Sequence, residues 1–251
     1  MSQSNLENKV ALVTGGSSGI GFATVRELIQ RGAKVYFTGR NQDALDRASV
    51  ELGERAIAIR ADSSQLSDID YTIETIRAAG DQLDILFYNA GIAKFAPLEL
   101  TSEELFDETL SINFKGAYFT VQKALPILRS GASIIFNGSA GIYGGMAGAS
   151  VYLASKGALE TVAKTLAIEL LERNIRVNIV HPGMTETPIF GKTGLSQEQI
   201  DEFADSVKSQ IPLGRMAQPS EIAKAVAFLA SPESSYIVGI SLPVDGGLSQ
   251  L

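Results

Sequence analysis

Tyr152, Lys156 and Ser139 have the residue types and spacing that proton transfer requires. Tyr152 and Lys156 are four residues apart in a helical pattern, so both side chains project from one face of the helix. A free phenol, with a pKa of about 10, is a poor base at neutral pH, but a neighbouring ammonium favours the phenolate and lowers that pKa. Ser139, at the end of a predicted strand, can donate a hydrogen bond to a substrate oxygen on which charge develops. Taken alone, a Tyr and a Lys at this spacing are more often a half-exposed aromatic and a cation that reaches solvent.

A glycine-rich segment, TGGSSGIG at 14–21, follows the first predicted strand and leads directly into a helical pattern. Gly15, Gly19 and Gly21 let the backbone turn tightly and approach a pyrophosphate, whose charge is stabilised by free N–H groups and the helix dipole. The polar side chains of this loop are Ser17 and Ser18. We predict phosphate binding by this loop; the alternative is a glycine-rich turn without a ligand, because a single glycine pattern is a weak signal.

Arg40 stands after the second predicted strand, where an NAD-binding chain carries an acidic residue for the ribose 2′-hydroxyl. A guanidinium can instead pair bidentately with a 2′-phosphate, so Arg40 predicts NADP(H) in preference to NAD(H). The alternative is a solvated surface charge. Asp62, at the end of the third predicted strand, can accept a hydrogen bond from the adenine amino group or serve as a turn or cap residue.

The composition narrows the classes of function. A chain of 251 residues with 45% hydrophobic residues can bury a large core, and one domain spanning 1–251 is expected. The net charge of −7 argues against a nucleic-acid partner. Because there is no cysteine and one histidine, we predict no disulfide and no metal site. A polar N-terminus and the lack of an apolar run of roughly 20 residues predict a cytoplasmic protein that does not span a membrane.

Short apolar runs alternate with longer helical patterns, which predicts an α/β fold with a parallel sheet covered on both faces. The predicted strands are 10–14, 34–39, 56–61, 85–89, 133–137, 176–180 and 240–244. The predicted helices are 19–31, 42–52, 66–79, 102–114 with a continuation to Leu128, 150–172 and 220–230. The polar segment 184–216 is longer than ordinary connections and is predicted to form a lid over the site.

These motifs stand in the order found in the short-chain dehydrogenase/reductase family, which the chain resembles over nearly its whole length. The matching residues are 14–21, Asn89-Ala90-Gly91, Asn113, Ser139, Tyr152, Lys156, Pro182-Gly183, Thr187 and 244–247. The resemblance implies a Rossmann-type doubly wound parallel sheet of about seven strands. It also implies hydride transfer between a nicotinamide cofactor and an alcohol or carbonyl carbon.

The resemblance gives each catalytic candidate a role. Tyr152 is expected to be the general acid in reduction and the base in oxidation, while Lys156 lowers its pKa and holds the nicotinamide ribose. Ser139 is expected to orient the substrate carbonyl. Asn113 is expected to fix a water next to Lys156 in a proton relay; the alternative is a polar residue at a helix kink.

The resemblance also extends the expected cofactor site, in which Ile20 lies near the pyrophosphate and Asn89, Ala90 and Gly91 line the adenosine side. The residues expected at the nicotinamide end are Tyr152, Lys156, Pro182, Gly183, Thr185 and Thr187. Thr187 has the alternative role of a helix cap before Pro188.

Two positions depart from the family pattern. Tyr88 precedes Asn89 where the family often has a second asparagine, which puts in doubt a stabilising hydrogen bond near the sheet. His181 precedes Pro182 where smaller residues are frequent, and we assign it no part in the mechanism.

The substrate is expected to be a moderately hydrophobic ketone, aldehyde or alcohol, because the residues that should shape its pocket are mostly apolar. These are Phe95, Gly141, Ile142, Tyr143, Met184, Ile189 and Phe190. Helix 150–172 has apolar residues on more than one face, which, with the family pattern, predicts a homotetramer; burial within one subunit is the alternative.

Two other functions compete with a general carbonyl reductase. A 3-oxoacyl thioester reductase of fatty-acid synthesis would need basic residues at the pocket mouth for an acidic carrier, and Lys94, Arg129 and Lys192 are candidates. A regulator that binds NADP without turnover is disfavoured because all four catalytic residue types are present.

Overall fold

Seven parallel strands form one sheet in the computed structural model, which describes residues 5–187 and 208–251. The strands are β1 (Val10–Val13), β2 (Lys34–Gly39), β3 (Ala56–Arg60), β4 (Leu83–Tyr88), β5 (Leu128–Asn137), β6 (Arg176–Pro182) and β7 (Ser241–Val244). Their spatial order is β3-β2-β1-β4-β5-β6-β7. The chain builds outward from β1 to β3 and then returns to place β4 on the other side of β1, so the strand order reverses between β1 and β4. Ligands of such sheets bind outside the carboxyl ends of the strands at this reversal.

Helices cover both faces of the sheet. They are α1 (Gly19–Gln30), α2 (Gln42–Leu52), α3 (Leu66–Ala78), α4 (Glu103–Leu110), α5 (Gly116–Ala124), α6 (Ser150–Glu169) and α7 (Pro219–Ala230). Buried side chains of α3, α5 and α6 pack on one face, and those of α1, α2 and α7 pack on the other. In the described parts of the chain, no helix is both long and apolar enough to cross a membrane.

The central strands are apolar at successive positions because both of their faces are buried. In β1, Leu12 joins the core beneath α3, α5 and α6, and the next residue, Val13, joins the core on the opposite face. The same alternation separates Phe136 from Ile135 in β5. This two-sided burial explains why the sequence shows continuous apolar runs instead of alternation between apolar and polar residues.

The predicted architecture is confirmed, with seven strands in one doubly wound sheet and helices on both faces. The predicted continuation of a helix to Leu128 is wrong, because α5 ends at Ala124 and Leu128 is the first residue of β5, paired with Leu83. Helix α6 ends at Glu169 and is followed by a 3-10 turn at Leu171–Arg173. Most of the predicted lid, including Ile189, Phe190 and Lys192, lies outside the described residues.

Two helical glycines give a matched test of this packing. A Cβ at Gly116 would lie 2.2 Å from the Ser63 carbonyl oxygen, whereas a Cβ at Gly157 would have no neighbour within 4 Å. We expect Gly116→Ala to lower the free energy of unfolding by about 1–3 kcal/mol through overpacking. Gly157→Ala should raise it by up to about 1 kcal/mol, because alanine favours helix. Denaturant unfolding measures both, and equal stability of the two variants would contradict the packing described at Gly116.

Candidate active site

The loop between β1 and α1 has a backbone conformation that favours glycine at two points. Gly15 and Gly19 have φ angles of 65° and 55°, in the left-handed region. A Cβ at Gly21 would lie 2.1 Å from the Gly15 carbonyl oxygen, so the first turn of α1 packs directly on the loop. Ser18 occupies the N-cap position without a side-chain capping bond. The backbone N–H groups at the start of α1, including that of Ile20, can therefore donate hydrogen bonds to an anionic group.

Asn89 ties this loop to the end of β4. Its side-chain Nδ2 donates to the carbonyl oxygens of Thr14 and Gly15, both at 3.1 Å. In return, the Thr14 hydroxyl accepts hydrogen bonds from the backbone N–H groups of Asn89 and Ala90, both at 3.0 Å. The segment Asn89-Ala90-Gly91 is thus fixed beside the glycine loop at the point where the strand order reverses.

Arg40 and Asp62 face each other at the ends of β2 and β3. The Arg40 guanidinium lies 3.8 Å from Asp62 Oδ2, and the Arg40 side chain is 58% exposed. Asp62 Oδ1 accepts hydrogen bonds from the Ser64 N–H and hydroxyl at 2.9 and 2.8 Å. Asp62 therefore acts as a turn residue through Oδ1, while Oδ2 remains beside Arg40. The Ser17 hydroxyl lies beside the end of β2, because a Cβ at Gly39 would be 2.9 Å from Ser17 Oγ.

Asn113 lies in a turn of π-helix, Ser111–Lys115, between α4 and α5, and its side chain is fully buried. Its Oδ1 accepts from the Ile92 N–H at 2.9 Å, and its Nδ2 donates to the Ile92 carbonyl and to Ser155 Oγ, both at 3.0 Å. The amide side chain is thus engaged in holding the loop after β4. Tyr88, the departure from the family pattern, donates from its hydroxyl to the Ile112 carbonyl at 2.5 Å and so fixes this turn to β4.

Tyr152 and Lys156 lie on one face of α6, as their spacing predicts. Lys156 Nζ is 5.9 Å from the centroid of the Tyr152 ring. The ammonium is buried, and it donates to the Asn137 carbonyl at 2.7 Å. Phe95 meets the Tyr152 ring edge-on, with 5.7 Å between the centroids.

Burial shifts the pKa of each of these side chains in the direction that favours its neutral form. Burial raises the pKa of the Tyr152 phenol, and a hydrogen bond from the Ser139 side chain opposes that shift. Burial lowers the pKa of Lys156 to about 8. Burial thus dominates the shift of the Tyr152 pKa, and the expected lowering of that pKa by Lys156 stays a prediction.

Ser139 follows β5 and completes the group. Its hydroxyl accepts a hydrogen bond from the Gly141 N–H at 3.2 Å, and its backbone N–H lies 3.1 Å from His181 Nδ1. Ser139 and Tyr152 interact through their side chains, which places a hydroxyl and a phenol side by side. A carbonyl or alcohol oxygen that accepts from both would be held in a fixed position.

Two residues at this site were missed in the sequence. The Asn137 side chain donates to Asn89 Oδ1 at 2.9 Å, and its own Oδ1 is buried without a hydrogen-bond partner among the described residues. Ser155 donates to the Tyr152 carbonyl at 2.6 Å and accepts from Asn113. The only signal in the sequence was that each of these residues lies close to a candidate residue along the chain.

The turn after β6 follows the predicted Pro182-Gly183 motif. Gly183 donates to the Val244 carbonyl at 3.0 Å, and a Cβ there would lie 2.7 Å from the Asp245 Cα, so β7 approaches closely. Thr185 is buried, and its hydroxyl donates to the Gly183 carbonyl at 3.0 Å. Thr187 is partly buried at the end of the described segment. The assignment of these residues to a cofactor stays a prediction.

The basic residues considered for an acidic carrier do not gather at the site. Arg129 approaches Asp84, which also pairs with Lys9 immediately before β1, so Arg129 lies at the amino edge of the sheet. Its proposed place at the pocket mouth is wrong, because the site lies at the carboxyl edge. Lys94 pairs with Glu108.

Comparison with known proteins assigns the chain to a class. Residues 15–249 match the family model described as enoyl-(acyl carrier protein) reductase. The oxidoreductase asL5 of Sarocladium schorii is 39% identical over 248 residues, covering 98% of each chain. The cyclopentanol dehydrogenase of Comamonas sp. is 36% identical over 250 residues, covering 96% of this chain and 97% of its own. A 3-ketoacyl-(acyl-carrier-protein) reductase from Brucella melitensis, crystallised with NADH, has a TM-score of 0.89 at 35% identity, covering 97% of this chain and 99% of its own.

The chain belongs to the short-chain dehydrogenase/reductase family. Membership makes it an oxidoreductase that acts on CH–OH or C=O groups with a nicotinamide cofactor. The resemblance read from the spaced motifs is confirmed.

Burial of the Lys156 ammonium should lower the free energy of unfolding. Its pKa falls from 10.5 to about 8 on folding, so the cost is complete below pH 8 and fades as pH rises from about 8 to 10.5. We expect Lys156→Met to raise the free energy of unfolding at pH 7 by about 1–2 kcal/mol, after the lost hydrogen bond is subtracted.

Denaturant unfolding at pH 7 and pH 10 measures this difference, which should shrink at the higher pH. Lys164→Met is the control, since Lys164 lies two turns further along α6, is 56% exposed and pairs with Glu160. It should change stability by less than about 0.5 kcal/mol. A destabilised Lys156→Met protein at pH 7 would contradict the cost of burial.

Proposed function

We propose that this protein is an NADP(H)-dependent oxidoreductase that interconverts a ketone or aldehyde and the corresponding alcohol. The observation that carries the proposal is the convergence of Tyr152, Lys156 and Ser139 at the carboxyl edge of the sheet, beside the glycine loop. A nicotinamide dinucleotide supplies the hydride when it is bound. The side chains supply the proton and hold the substrate oxygen.

The glycine loop fits a dinucleotide phosphate. Its tight backbone, the uncapped start of α1 and the missing Cβ at Gly21 leave N–H groups accessible to an anion. We assign the phosphates to Gly15, Ser17, Ser18, Gly19, Ile20 and Gly21. We assign the remaining contacts to Arg40, Asp62, Asn89, Ala90, Gly91, Tyr152, Lys156, Pro182, Gly183, Thr185 and Thr187.

In reduction, Tyr152 donates its proton to the substrate oxygen, and in oxidation it accepts that proton. Burial favours the neutral phenol, which is the form that donates. Ser139 donates a hydrogen bond to the same oxygen and stabilises charge that develops there. Lys156 binds the nicotinamide ribose from its place beside Tyr152. Asn113 holds the loop after β4 and the Ser155 hydroxyl, which in turn bonds the Tyr152 backbone.

The substrate wall seen in the described residues is apolar. Phe95 is roughly half-exposed and contacts Tyr152 directly, and Tyr143, in the turn after Ser139, is exposed to a similar extent. This supports a hydrophobic ketone or alcohol as the substrate. One relative is named as a dehydrogenase of cyclopentanol, which is an alcohol of this class. A 3-oxoacyl thioester is the second candidate because of the Brucella melitensis relative, but the described basic residues do not supply a surface for its carrier.

Exposed apolar side chains support the proposed assembly of a homotetramer, and the cytoplasmic location stays a prediction from the sequence. Ile168 on α6 is 73% exposed, and Tyr236 before β7 is fully exposed. Burial of such residues against other subunits would remove apolar surface from water.

Tyr152→Phe removes only the phenolic oxygen. We expect kcat to fall by about 100-fold or more, because general acid–base catalysis contributes about that much. The Kd for NADPH, measured by fluorescence titration, should change by less than about 3-fold, since the phosphates bind elsewhere. The assay follows oxidation of NADPH with a panel of ketones, aldehydes and acetoacetyl thioesters. Full activity of the phenylalanine variant would exclude Tyr152 as the proton donor, and wild-type binding without any turnover would favour a regulator.

Arg40→Ala tests the proposed preference for NADP(H). Removal of the guanidinium should weaken NADPH binding by about 10-fold or more, as expected for a lost charged hydrogen-bond pair, and change NADH binding little. Arg47→Ala, an exposed arginine on α2, is the matched control and should alter neither. The Brucella melitensis relative was crystallised with NADH, so the ratio of the two Kd values is the decisive measurement. A ratio unchanged by Arg40→Ala removes Arg40 from the proposal.

A further inference from the structure

His181 is a buried side chain that the proposed reaction does not use. It lies in β6, one residue before its end, with no exposed surface. Its Nδ1 is 3.1 Å from the Ser139 backbone nitrogen and 3.2 Å from the Ser139 carbonyl oxygen. Its Nε2 is buried and has no hydrogen-bond partner among the described residues. Within hydrogen-bond distance, the polar contacts of the ring in the described parts of the chain are therefore with the backbone of Ser139.

The surroundings of Nε2 decide which nitrogen carries the proton. Glu160 Oε2 lies 3.8 Å from Nε2, and Glu160 is held in place by Lys164 at 2.7 Å and by the Ser241 hydroxyl at 3.1 Å. Burial raises the pKa of Glu160, but the hydrogen bonds from Lys164 and Ser241 and the nearby positive charges outweigh it and lower that pKa, so the carboxylate is charged at neutral pH. A negative charge facing Nε2 favours the tautomer with its proton on that nitrogen. Nδ1 is then an acceptor, and it accepts the hydrogen bond of the Ser139 N–H.

The ring has little freedom to move from this position. A Cβ at Gly138 would lie 2.3 Å from His181 Nδ1, so the ring packs directly against the backbone that leads into Ser139. On another side, the Tyr143 ring meets the imidazole edge-on, with 5.4 Å between the centroids. The imidazole is thus a rigid support behind the turn that carries the Ser139 hydroxyl.

We propose that His181 is a positioning residue, whose Nδ1 accepts the Ser139 N–H and so fixes the Ser139 hydroxyl against Tyr152 and the substrate oxygen. The inference rests on the proposed function, because the role of Ser139 in the reaction is part of it. His181 itself touches neither the substrate nor the reacting atoms. Its contribution is therefore to the geometry of a group that does, and small displacements of such groups are costly to turnover.

Three substitutions separate the position of the acceptor from simple filling of space. His181→Asn can place an amide oxygen near the Nδ1 position, His181→Gln places its amide near Nε2, and His181→Leu has no acceptor. We expect kcat to fall by about 10-fold or more in the Leu and Gln variants and by less than about 3-fold in the Asn variant. The Kd for NADPH should stay within about 3-fold of wild type in all three, since the glycine loop is untouched.

A double-mutant cycle tests whether the effect passes through Ser139. In a Ser139→Ala background, His181→Leu should change kcat by less than about 2-fold, because the hydroxyl that it misplaces is gone. A purely structural role would instead lower thermal stability in every variant without ordering kcat by the position of the acceptor. If the Leu variant does not fold, the comparison of Asn with Gln decides.

Wild-type kcat in the Leu and Gln variants would overturn the inference, as would an Asn variant as slow as Gln. Full additivity of His181→Leu with Ser139→Ala would overturn it as well. If wild-type protein binds NADPH but turns over no carbonyl or alcohol, the proposed function itself fails. That result differs from an active enzyme whose kcat does not depend on the residue at position 181.

Discussion

A buried ammonium needs an acceptor, and Lys156 has one in the Asn137 carbonyl at 2.7 Å. From there a line of hydrogen bonds continues, because the Asn137 side chain donates to Asn89 and the Asn89 side chain donates to the Gly15 carbonyl. This line joins α6, β5, β4 and the loop after β1. Each link is worth about 1 kcal/mol, but an orphaned buried group costs more, so the four elements are held at one spacing. The glycine loop and the Tyr–Lys pair, which are far apart in sequence, thereby become two ends of one cleft.

The fold was largely predictable because its signals are local. Each strand is a short apolar run, each helix has its own periodic pattern, and alternation of the two forces parallel pairing through crossover helices. The error at Leu128 shows where this reasoning ends. Pro126 lies between Ala124 and Leu128 and is a local signal against a continuous helix. The assignment of Leu128 to the sheet, however, comes from its pairing with Leu83 of β4, a contact that spans 45 residues of sequence.

The candidate site was predictable in its residue types and less so in its energetics. The spacing of Tyr152 and Lys156 gave their shared face, and the family pattern added Asn113 and Ser139. Asn137 and His181 could not be assigned roles in the same way, because their partners come from other strands and their contacts include backbone atoms. The burial of Tyr152 and Lys156 was also not predictable, since a sequence shows that two groups are near each other but not that both are desolvated.

The two pKa shifts carry a consequence for how the site works. Burial favours a neutral phenol, and it lowers the pKa of Lys156 only to about 8, so at neutral pH a phenol lies beside an ammonium. In the proposed reduction Tyr152 would act as the phenol, which is the form that burial favours. In the proposed oxidation it would act as the phenolate, which the ammonium of Lys156 would favour. The burial that makes the Lys156 ammonium costly for stability also places it beside Tyr152, and the hydrogen bonds from Gly15 to Lys156 hold the glycine loop and this pair in one arrangement.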